Sequence, residues 1–264
     1  MPSTTRLLVR PLRLAGPGDP RLITETLAAA PGWSRHGIPD GGVRFTSPCR
    51  TAVVTGGPPA GSTAAWTLHG YSRPGAEPLW RASFGSGTPA EITAAFTTVL
   101  VHGLRSGHRD YLHGGPHHLP RTPASVLADR GWRPEQAPKG FHDQVAPDGT
   151  AVYRHRVGHQ PPDTEVAGLT PPAWSMLAGD PHNPSWRADF TIGVPFYPLV
   201  RAALAFSSTA PVERRLGNIP ARHLPHITAR PPSRDAPARR PTAAALTFPA
   251  AAPASRPAPA ARRR

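Results

Sequence analysis

Only one lysine, Lys139, and one cysteine, Cys49, occur among the 264 residues of this chain. A single thiol cannot close a disulfide within the chain, so the sequence gives no sign of an oxidising compartment. No stretch approaches the roughly 18 consecutive apolar residues of a membrane-spanning helix, and no membrane partner is predicted. The N-terminal segment lacks the continuous apolar core of a signal peptide, because Arg6, Arg10 and Arg13 interrupt it. We therefore expect a cytoplasmic protein.

Acidic residues are also scarce: 16 aspartates and glutamates stand against 30 lysines and arginines, for a formal net charge of +14. They show no paired spacing suited to general acid–base catalysis. The chain has no Gly-x-Ser-x-Gly or His-Glu-x-x-His motif, and the loop Gly85–Thr88 lacks the lysine and the spacing of a P-loop. Cys49 stands alone beside a strand, where a cysteine is usually a small apolar residue. The sequence predicts no catalytic residue and favours a protein that is not an enzyme.

Histidines cluster between the two halves of the chain, around one aspartate: His102, His108, Asp110, His113, His117 and His118. Imidazoles at short spacing can bind zinc or nickel. These spacings fit no known ligand pattern, and the segment is rich in glycine and has no cysteine. A solvated linker is therefore the favoured interpretation of this segment. His223 and His226 are also not favoured as metal ligands. Neither a metal nor a cofactor is predicted.

The six tryptophans form an internal repeat, three in each copy: Trp33, Trp66 and Trp80, then Trp132, Trp174 and Trp186. The segment Trp80–Phe84 reappears as Trp186–Phe190 with one change, and a proline follows each leading tryptophan by nine residues. A repeat of this length indicates a duplicated domain rather than a solenoid. The predicted organisation is a domain at 1–105, a diverged second copy at 106–228 and a disordered tail at 229–264.

Alternation of apolar and polar residues predicts a half-buried antiparallel sheet in each copy. The strands expected in the first copy lie at 6–14, 43–46, 51–55, 65–71 and 79–84. One helix is expected to start at Asp19-Pro20, and a second at Thr88, where Thr88 and Glu91 would form a capping box. The apolar stripe of the second helix should face the sheet. Each unit is therefore predicted as β-α-ββββ-α, a mostly antiparallel α+β fold with its helices on one face.

The second copy is expected to repeat this order, with strands at 150–156, 173–178 and 185–190. Tyr111–Gly115 takes the place of Leu12–Gly16, and a helix starts at Thr122-Pro123. Pro198 replaces an isoleucine of the first copy, so the first turn of the closing helix should be shifted or broken. The apolar faces supply the predicted core: Trp33, Trp66, Trp80, Phe84, Ile92, Phe96, Trp132, Trp174, Trp186 and Phe190.

The tryptophans could instead form a base-stacking platform, since aromatic side chains on an open sheet bind single-stranded nucleic acid. They alternate with Leu68, Ala82 and Ala188, however, and this pattern favours the core. The opposite face is expected to be polar and could meet a partner. It carries His69, Arg81, Arg187 and Asp189.

Several features of the repeat occur together: a leucine-glycine turn before the first helix, Gly-Trp, a Ser-Pro element, a Trp-x-Ala-x-Phe strand and a Thr-Pro-Ala-Glu helix start. In this combination the chain resembles, over roughly residues 6–215, the SPDY domain, an actinobacterial domain named for a Ser-Pro-Asp-Tyr motif and often present in two copies. The resemblance implies a fold and a lineage but no reaction. The motif itself is altered in both copies, to Ser47-Pro48-Cys49-Arg50 and Ala146-Pro147-Asp148-Gly149.

Proline followed by a polar residue and glycine also suits a tight turn. The motif positions Ser47, Pro48, Cys49, Pro147 and Asp148 are therefore interpreted as structural.

From Ala229 the chain is almost entirely proline, alanine and arginine, a composition that predicts disorder. Its eight arginines against Asp235 give the tail a net charge of +7, half that of the protein. A flexible cationic chain binds polyanions through counterion release. The candidate polyanion-binding residues are Arg230, Arg234, Arg239, Arg240, Arg256, Arg262, Arg263 and Arg264.

Two functions remain open from the sequence. The first is a non-catalytic interaction protein that binds an unidentified protein partner through the polar sheet face or a sheet edge. The second is a nucleic-acid-associated protein that uses the tail for non-specific phosphate contacts. An enzyme ranks third, and it would require a concave pocket that holds perturbed titratable groups.

Overall fold

The structure is a computed structural model that describes residues 5–57, 64–107 and 121–232, with the side chain of Asp40 excepted. Several predicted features lie outside these residues: the segment Tyr111–Gly115, His108, His113, His117 and His118 with Asp110, and the tail arginines from Arg234 onward.

Strands are the main elements of the described residues. In chain order they are β1 Arg6–Arg10, β2 Ser34–Gly37, β3 Val43–Thr46, β4 Ala52–Gly56, β5 Ala64–Tyr71, β6 Pro78–Gly85, β7 Arg133–Glu135, β8 Phe141–Val145, β9 Ala151–Arg156, β10 Trp174–Asp180, β11 Asn183–Phe190, β12 Val212–Arg215 and β13 Thr228–Arg230. Ten of them form one antiparallel sheet in the order β2-β3-β4-β5-β6-β11-β10-β9-β8-β7. The fold is α+β and antiparallel, as the alternation predicts.

The α-helices of the described residues are α1 Arg21–Ala28, α2 Ala90–Arg105, α3 Pro123–Ala128, α4 Pro162–Ala167 and α5 Phe196–Phe206. On one face of the sheet, α1 packs on α2, α2 on α5, and α5 on α3. The short helix α4 packs against β6 instead. One face of the sheet is therefore covered by four helices, and most of the other face is left without a helical layer.

The buried face carries the large aromatic residues, because alternate side chains of a strand point to opposite faces. Trp80, Phe84 and Phe96 are fully buried, and Trp66 is nearly so. The stacking-platform alternative does not fit this placement, since Trp80, Trp174 and Trp186 are buried against aromatic residues of the helices. Trp33 differs from the prediction: it is only half-buried, so it is not part of the core.

Glycines make room for two of these indole rings. Gly70 is the cross-strand partner of Trp80, and Gly56 is the partner of Trp66. A Cβ atom on Gly70 would lie 2.2 Å from the Trp80 ring, and one on Gly56 would lie 2.4 Å from the Trp66 ring. Because glycine has no side chain, each indole ring can lie over its cross-strand partner without a clash.

The two halves of the chain meet at an antiparallel pair of strands, β6 and β11. Ser83 pairs with Asp189 at the centre of this joint, and the two occupy equivalent positions of the Trp-x-Ala-x-Phe segments. The register is therefore symmetric about this pair. Phe84 and Phe190 also meet across the joint, with ring centroids 5.5 Å apart.

Because of this joint, the two predicted domains form one compact unit. Residues 1–105 and 106–228 share a sheet and a core, and the chain up to Pro231 forms a single compact unit. The symmetric register is what a duplication would produce, but the origin of the two halves by duplication stays a prediction.

A second, smaller sheet joins the two ends of this unit. β1 pairs with β12 on one side and with β13 on the other. The strand predicted at 6–14 therefore ends at Arg10, and a 3₁₀ turn follows at Leu12–Leu14. Ala229 and Arg230, the first residues of the predicted tail, lie in β13, so the folded part extends further than the sequence predicted.

Two expectations about helix starts were wrong. Thr88 forms no capping box: its buried hydroxyl has no partner, and Glu91 binds Arg214 instead. Pro198 does not disturb α5, which begins at Phe196 directly after Pro195. Pro198 is the third residue of the helix and lies in its first turn. The backbone N–H groups of the first turn have no hydrogen-bond partner within the helix, so a proline there removes no helical hydrogen bond.

Candidate functional site

The first motif segment is a tight turn between β3 and β4. Arg50 N donates to Ser47 O at 2.9 Å, and the Ser47 hydroxyl accepts from Ala52 N at 3.0 Å. Arg50 takes a left-handed conformation, with φ of 57°. Ser47 is buried, while Pro48 and Cys49 are exposed at the tip. The hydroxyl of Ser47 thus holds the turn together from inside.

The second motif segment makes the same turn between β8 and β9. Gly149 N donates to Ala146 O at 2.9 Å, and Gly149 also has a positive φ, of 70°. The two turns correspond residue by residue, which places Cys49 in the position of Asp148. Both positions are followed, two residues later, by a buried threonine, Thr51 or Thr150.

Asp148 is held by a set of polar contacts. Its Oδ1 accepts from the Thr150 hydroxyl at 2.7 Å and from the Thr150 N–H at 3.1 Å, and its Oδ2 forms an ion pair with Arg13. Burial of the carboxyl group raises its pKa, but the Thr150 hydrogen bonds and the Arg13 charge outweigh this effect, so that the pKa of Asp148 is lowered. The carboxylate is therefore charged at neutral pH.

Arg13 reaches this turn from the other end of the chain. Its guanidinium is buried, donates to Thr150 through Nε at 3.1 Å, and lies 5.7 Å from the centre of the Trp132 ring. Burial lowers the pKa of Arg13, and the neighbouring Asp148 offsets part of that effect. A cation over an indole face and beside a carboxylate is a stabilising arrangement.

Asp148 also lines a pocket of about 340 Å³, beside Pro147. The pocket wall combines the N-terminal segment, the second motif turn and the C-terminal segment, and includes Arg10, Arg130 and His226. Three arginines and one aspartate line it, which gives a net charge of +2 with His226 counted as neutral. The interpretation of Pro147 and Asp148 as a structural turn holds for the backbone, but it missed this pocket.

Cys49, the counterpart of Asp148, makes weaker contacts. Its Sγ lies 2.8 Å from the Thr51 hydroxyl and 3.3 Å from the Ser47 hydroxyl. Burial raises the pKa of the thiol, but hydrogen bonds from these hydroxyls and from backbone N–H groups outweigh it and lower the pKa of Cys49. Neither contact is to a base, so the geometry does not pair Cys49 with a proton acceptor for catalysis.

The open face of the sheet is cationic in its first half. The five strands β2 to β6 contain no acidic residue. His69 stands between Val53 and Arg81 in the strand register, and the exposed Arg44 lies on the same face of β3. Burial first, and then the charges of Arg81 and Arg44, lower the pKa of His69 to about 4. The tilted rings of His69 and Tyr71 lie 6.2 Å apart beside these arginines.

In the second half of the sheet the arginines of this face are neutralised by neighbouring acids. Arg154 makes two hydrogen bonds to Asp143, at 2.9 and 2.7 Å. Arg187 and the Ser175 hydroxyl both donate to Asp189 Oδ1 at 2.6 Å. The predicted polar face is therefore asymmetric: Arg154 and Arg187 in the second half have carboxylate partners, whereas Arg44 and Arg81 in the first half form no ion pair with a described residue.

His223, which the sequence did not favour as a metal ligand, has a hydrogen-bond partner at both ring nitrogens. His223 Nδ1 lies 2.8 Å from the backbone oxygen of Leu14, and its Nε2 lies 2.5 Å from the Ser185 hydroxyl. Because Nδ1 must donate to a carbonyl, Nε2 accepts from the serine. Burial lowers the pKa of His223, although the Leu14 contact opposes it. The pair closes the C-terminal segment over the 3₁₀ turn at Leu12–Leu14.

No group of three or more His, Cys, Asp or Glu side chains within the described ranges could hold a metal ion. Of the clustered histidines, only His102 belongs to those ranges, in α2. Of the eight tail arginines only Arg230 does, and it is exposed at the end of β13. No helix in the part of the chain that the structure describes is both long and apolar enough to span a membrane.

Residues 46–104 match the family model of the SPDY domain, described as a domain of unknown function (DUF317). The resemblance predicted from the sequence is confirmed for this segment, which runs from the first motif turn through β4, β5 and β6 to α2. Comparison with curated proteins and with solved structures found no match. The match covers three of the ten strands of the sheet, β4 to β6, together with α2, and a second SPDY copy stays a prediction.

Proposed function

We propose that this protein is a non-catalytic binding protein that docks an acidic segment of a protein partner on the open face of strands β2 to β6. The main observation is that the five strands β2 to β6 themselves contain no acidic residue, whereas the face carries the exposed Arg44 and the half-buried Arg81. The acids of this stretch, Asp40 and Glu77, lie in the connections between strands. Charge complementarity of this kind orients a partner and speeds association.

The shape of the face supports the same partner. The helices cover the other side of the sheet, and α4 reaches only as far as β6, where Arg81 donates to Glu165 O at 3.3 Å. Thr55, Thr67 and Tyr71 supply hydroxyl groups on the remaining surface. A flat face with a few donors and two cations fits an extended acidic peptide better than a compact ligand.

Binding of a fluorescein-labelled oligoglutamate peptide to the full chain, followed by anisotropy, tests this proposal. Arg44→Glu should weaken binding by about tenfold, because it places a like charge in the face. Arg215→Glu is the matched control, since Arg215 is also an exposed strand arginine, in the small sheet, and the change in net charge is identical. Equal affinity of the two variants would overturn the proposal.

Single-stranded DNA of equal length serves as the competing ligand. If DNA binding is reduced by Arg44→Glu and the peptide does not bind at all, the face is a nucleic-acid surface and the partner named above is wrong. If the peptide alone depends on Arg44, the protein partner is supported.

We retain nucleic-acid association through the tail as a second candidate. It is favoured by the charge of +7 that the sequence carries from residue 229 onward. Replacing Arg262, Arg263 and Arg264 by glutamine should lower the slope of log affinity against log salt by about three for DNA. An unchanged slope would exclude these three residues from phosphate contact.

A further inference from the structure

The pocket at the second motif turn lies at a junction of three distant parts of the chain. Arg10 and Pro11 come from the N-terminal segment, Pro147 and Asp148 from the motif turn, and Thr228 from the C-terminal strand. Its volume of about 340 Å³ is within the range of small-molecule sites. It is separate from the open sheet face and independent of the function proposed above.

The cations of this pocket differ in what they already bind. Arg13 is occupied by Asp148 and Thr150, so it neutralises the carboxylate instead of facing a ligand. Arg10 is exposed and forms no ion pair with any described residue. In its hydrogen bonds to described residues, Arg130 donates only through Nη1, to Leu204 O at 2.9 Å and to Ser207 Oγ at 3.1 Å. Two guanidinium groups therefore have N–H donors left for a ligand.

A smaller depression of about 110 Å³ continues the pocket along the small sheet. It shares Arg10 and Thr228 with the pocket and adds Arg230 on its far side. The cationic lining thus extends past Arg10 to a third exposed guanidinium. Thr209 and Thr228 also line the main pocket and each carries a hydroxyl group.

We propose that this pocket binds a small phosphorylated molecule that also carries a hydroxyl group. Arginine is well suited to phosphate because its planar fork donates two parallel hydrogen bonds to neighbouring oxygens. Arg10 and Arg130 hold the phosphate, assisted by the threonine hydroxyls. Asp148, whose carboxylate remains partly exposed, accepts a hydrogen bond from the ligand's hydroxyl group.

Isothermal titration of the full chain with glycerol 3-phosphate tests the proposal, with inorganic phosphate as a second probe and glycerol plus sodium chloride at equal ionic strength as the blank. Arg10→Gln combined with Arg130→Gln should weaken binding of glycerol 3-phosphate at least about tenfold. The matched control is Arg73→Gln with Arg105→Gln, which removes two exposed arginines remote in sequence from the pocket lining and should leave the affinity unchanged.

Arg130 also supports the end of α5, so the single variant Arg10→Glu is included because Arg10 has no such contact. It should abolish binding while the thermal unfolding midpoint stays that of the parent. Equal affinity of Arg10→Glu and the parent, equal loss in the control pair, or no binding by the parent at about 10 mM ligand would each overturn the proposal. Binding of inorganic phosphate without a gain from the glycerol group would overturn the assigned role of Asp148.

Discussion

The indole Nε1 of Trp186 donates to the backbone carbonyl of Arg13 at 2.8 Å, although 173 positions separate the two residues. The guanidinium of the same arginine lies over Trp132 and pairs with Asp148. The N-terminal segment is therefore built into the second half of the molecule. Together with the β6–β11 joint, this contact links the two halves so closely that they should unfold together.

Trp80→Ala and Trp186→Ala test this coupling. Each removes a buried indole, and each should lower the free energy of unfolding by about 3–5 kcal/mol through the cavity that is left. Because sheet and core are shared, the loss should appear in a single transition of the whole unit. Urea unfolding followed by both circular dichroism and tryptophan fluorescence checks this expectation.

The half-buried Trp33 provides the control for both variants, and Trp33→Ala should cost less than either. Two separated transitions in Trp186→Ala, with one half still folded, would show that the halves are independent domains after all.

Replacing Glu165 is predicted to destabilise the fold far more than replacing an exposed carboxylate. It is fully buried, pairs with the buried Arg156 and accepts from Ile192 N at 2.8 Å. Glu165→Ala leaves that arginine charge without its carboxylate and should cost about 3–5 kcal/mol. Glu213→Ala, which breaks an exposed pair with Arg6, should cost well under about 1 kcal/mol. Chemical denaturation of the two variants measures the difference, and similar costs would contradict the burial argument.

His69 should make the stability of the protein depend on pH between about 6.5 and 4. Its folded pKa is about 4, because of burial and then the charges of Arg81 and Arg44, whereas the unfolded chain titrates near 6.5. In this window the unfolded state binds more protons, so stability falls as the pH falls. The loss is on the order of 3 kcal/mol.

His69→Gln should remove this loss, so that the variant gains stability relative to the parent as the pH falls from 7 to 4. His36→Gln, at an exposed position of β2, is the control and should follow the parent. Thermal melts across this pH range are sufficient, and parallel curves for His69→Gln and the parent would refute the assignment.

Sequence patterns predicted most strands of the large sheet but missed β2, β7 and β8. The buried central residue of β8 is Asp143, so this strand shows no apolar alternation. Alternation placed β3 to β6 to within about two residues, because each has one apolar face. β2 and β7 are exposed along their whole length, at the two edges of the sheet, so they have no apolar period to detect. The β6–β11 joint was also missed, since pairing between distant strands leaves no local signal.

The candidate site was predictable only in part, for a related reason. Proline and glycine in Ala146–Gly149 indicated a turn, because φ preferences are local. The ion-pair partner of Asp148, Arg13, is 135 residues away in the chain, and Arg10 lines the same pocket. Nothing in the neighbouring sequence indicates that these residues meet, and the two arginines looked like interruptions of an apolar segment.

Cys49 should react faster with thiol reagents than an ordinary cysteine at neutral pH. Although burial raises its pKa, hydrogen bonds from Ser47, from Thr51 and from backbone N–H groups lower it overall, and the thiolate is the reactive form. The pH at which iodoacetamide reacts at half its maximal rate should therefore lie below the usual value of about 8.5.

Thr51→Val supplies the matched variant, since it removes the hydroxyl that lies 2.8 Å from Sγ and keeps the branched shape of the side chain. The half-reaction pH should rise in this variant, because one donor to the thiolate is lost. Asp148→Cys would place a thiol in the second turn, beside the cation of Arg13, where its half-reaction pH should be lower still. If all three proteins titrate alike, the polar groups around the two motif turns do not control the charge of the residue at the tip.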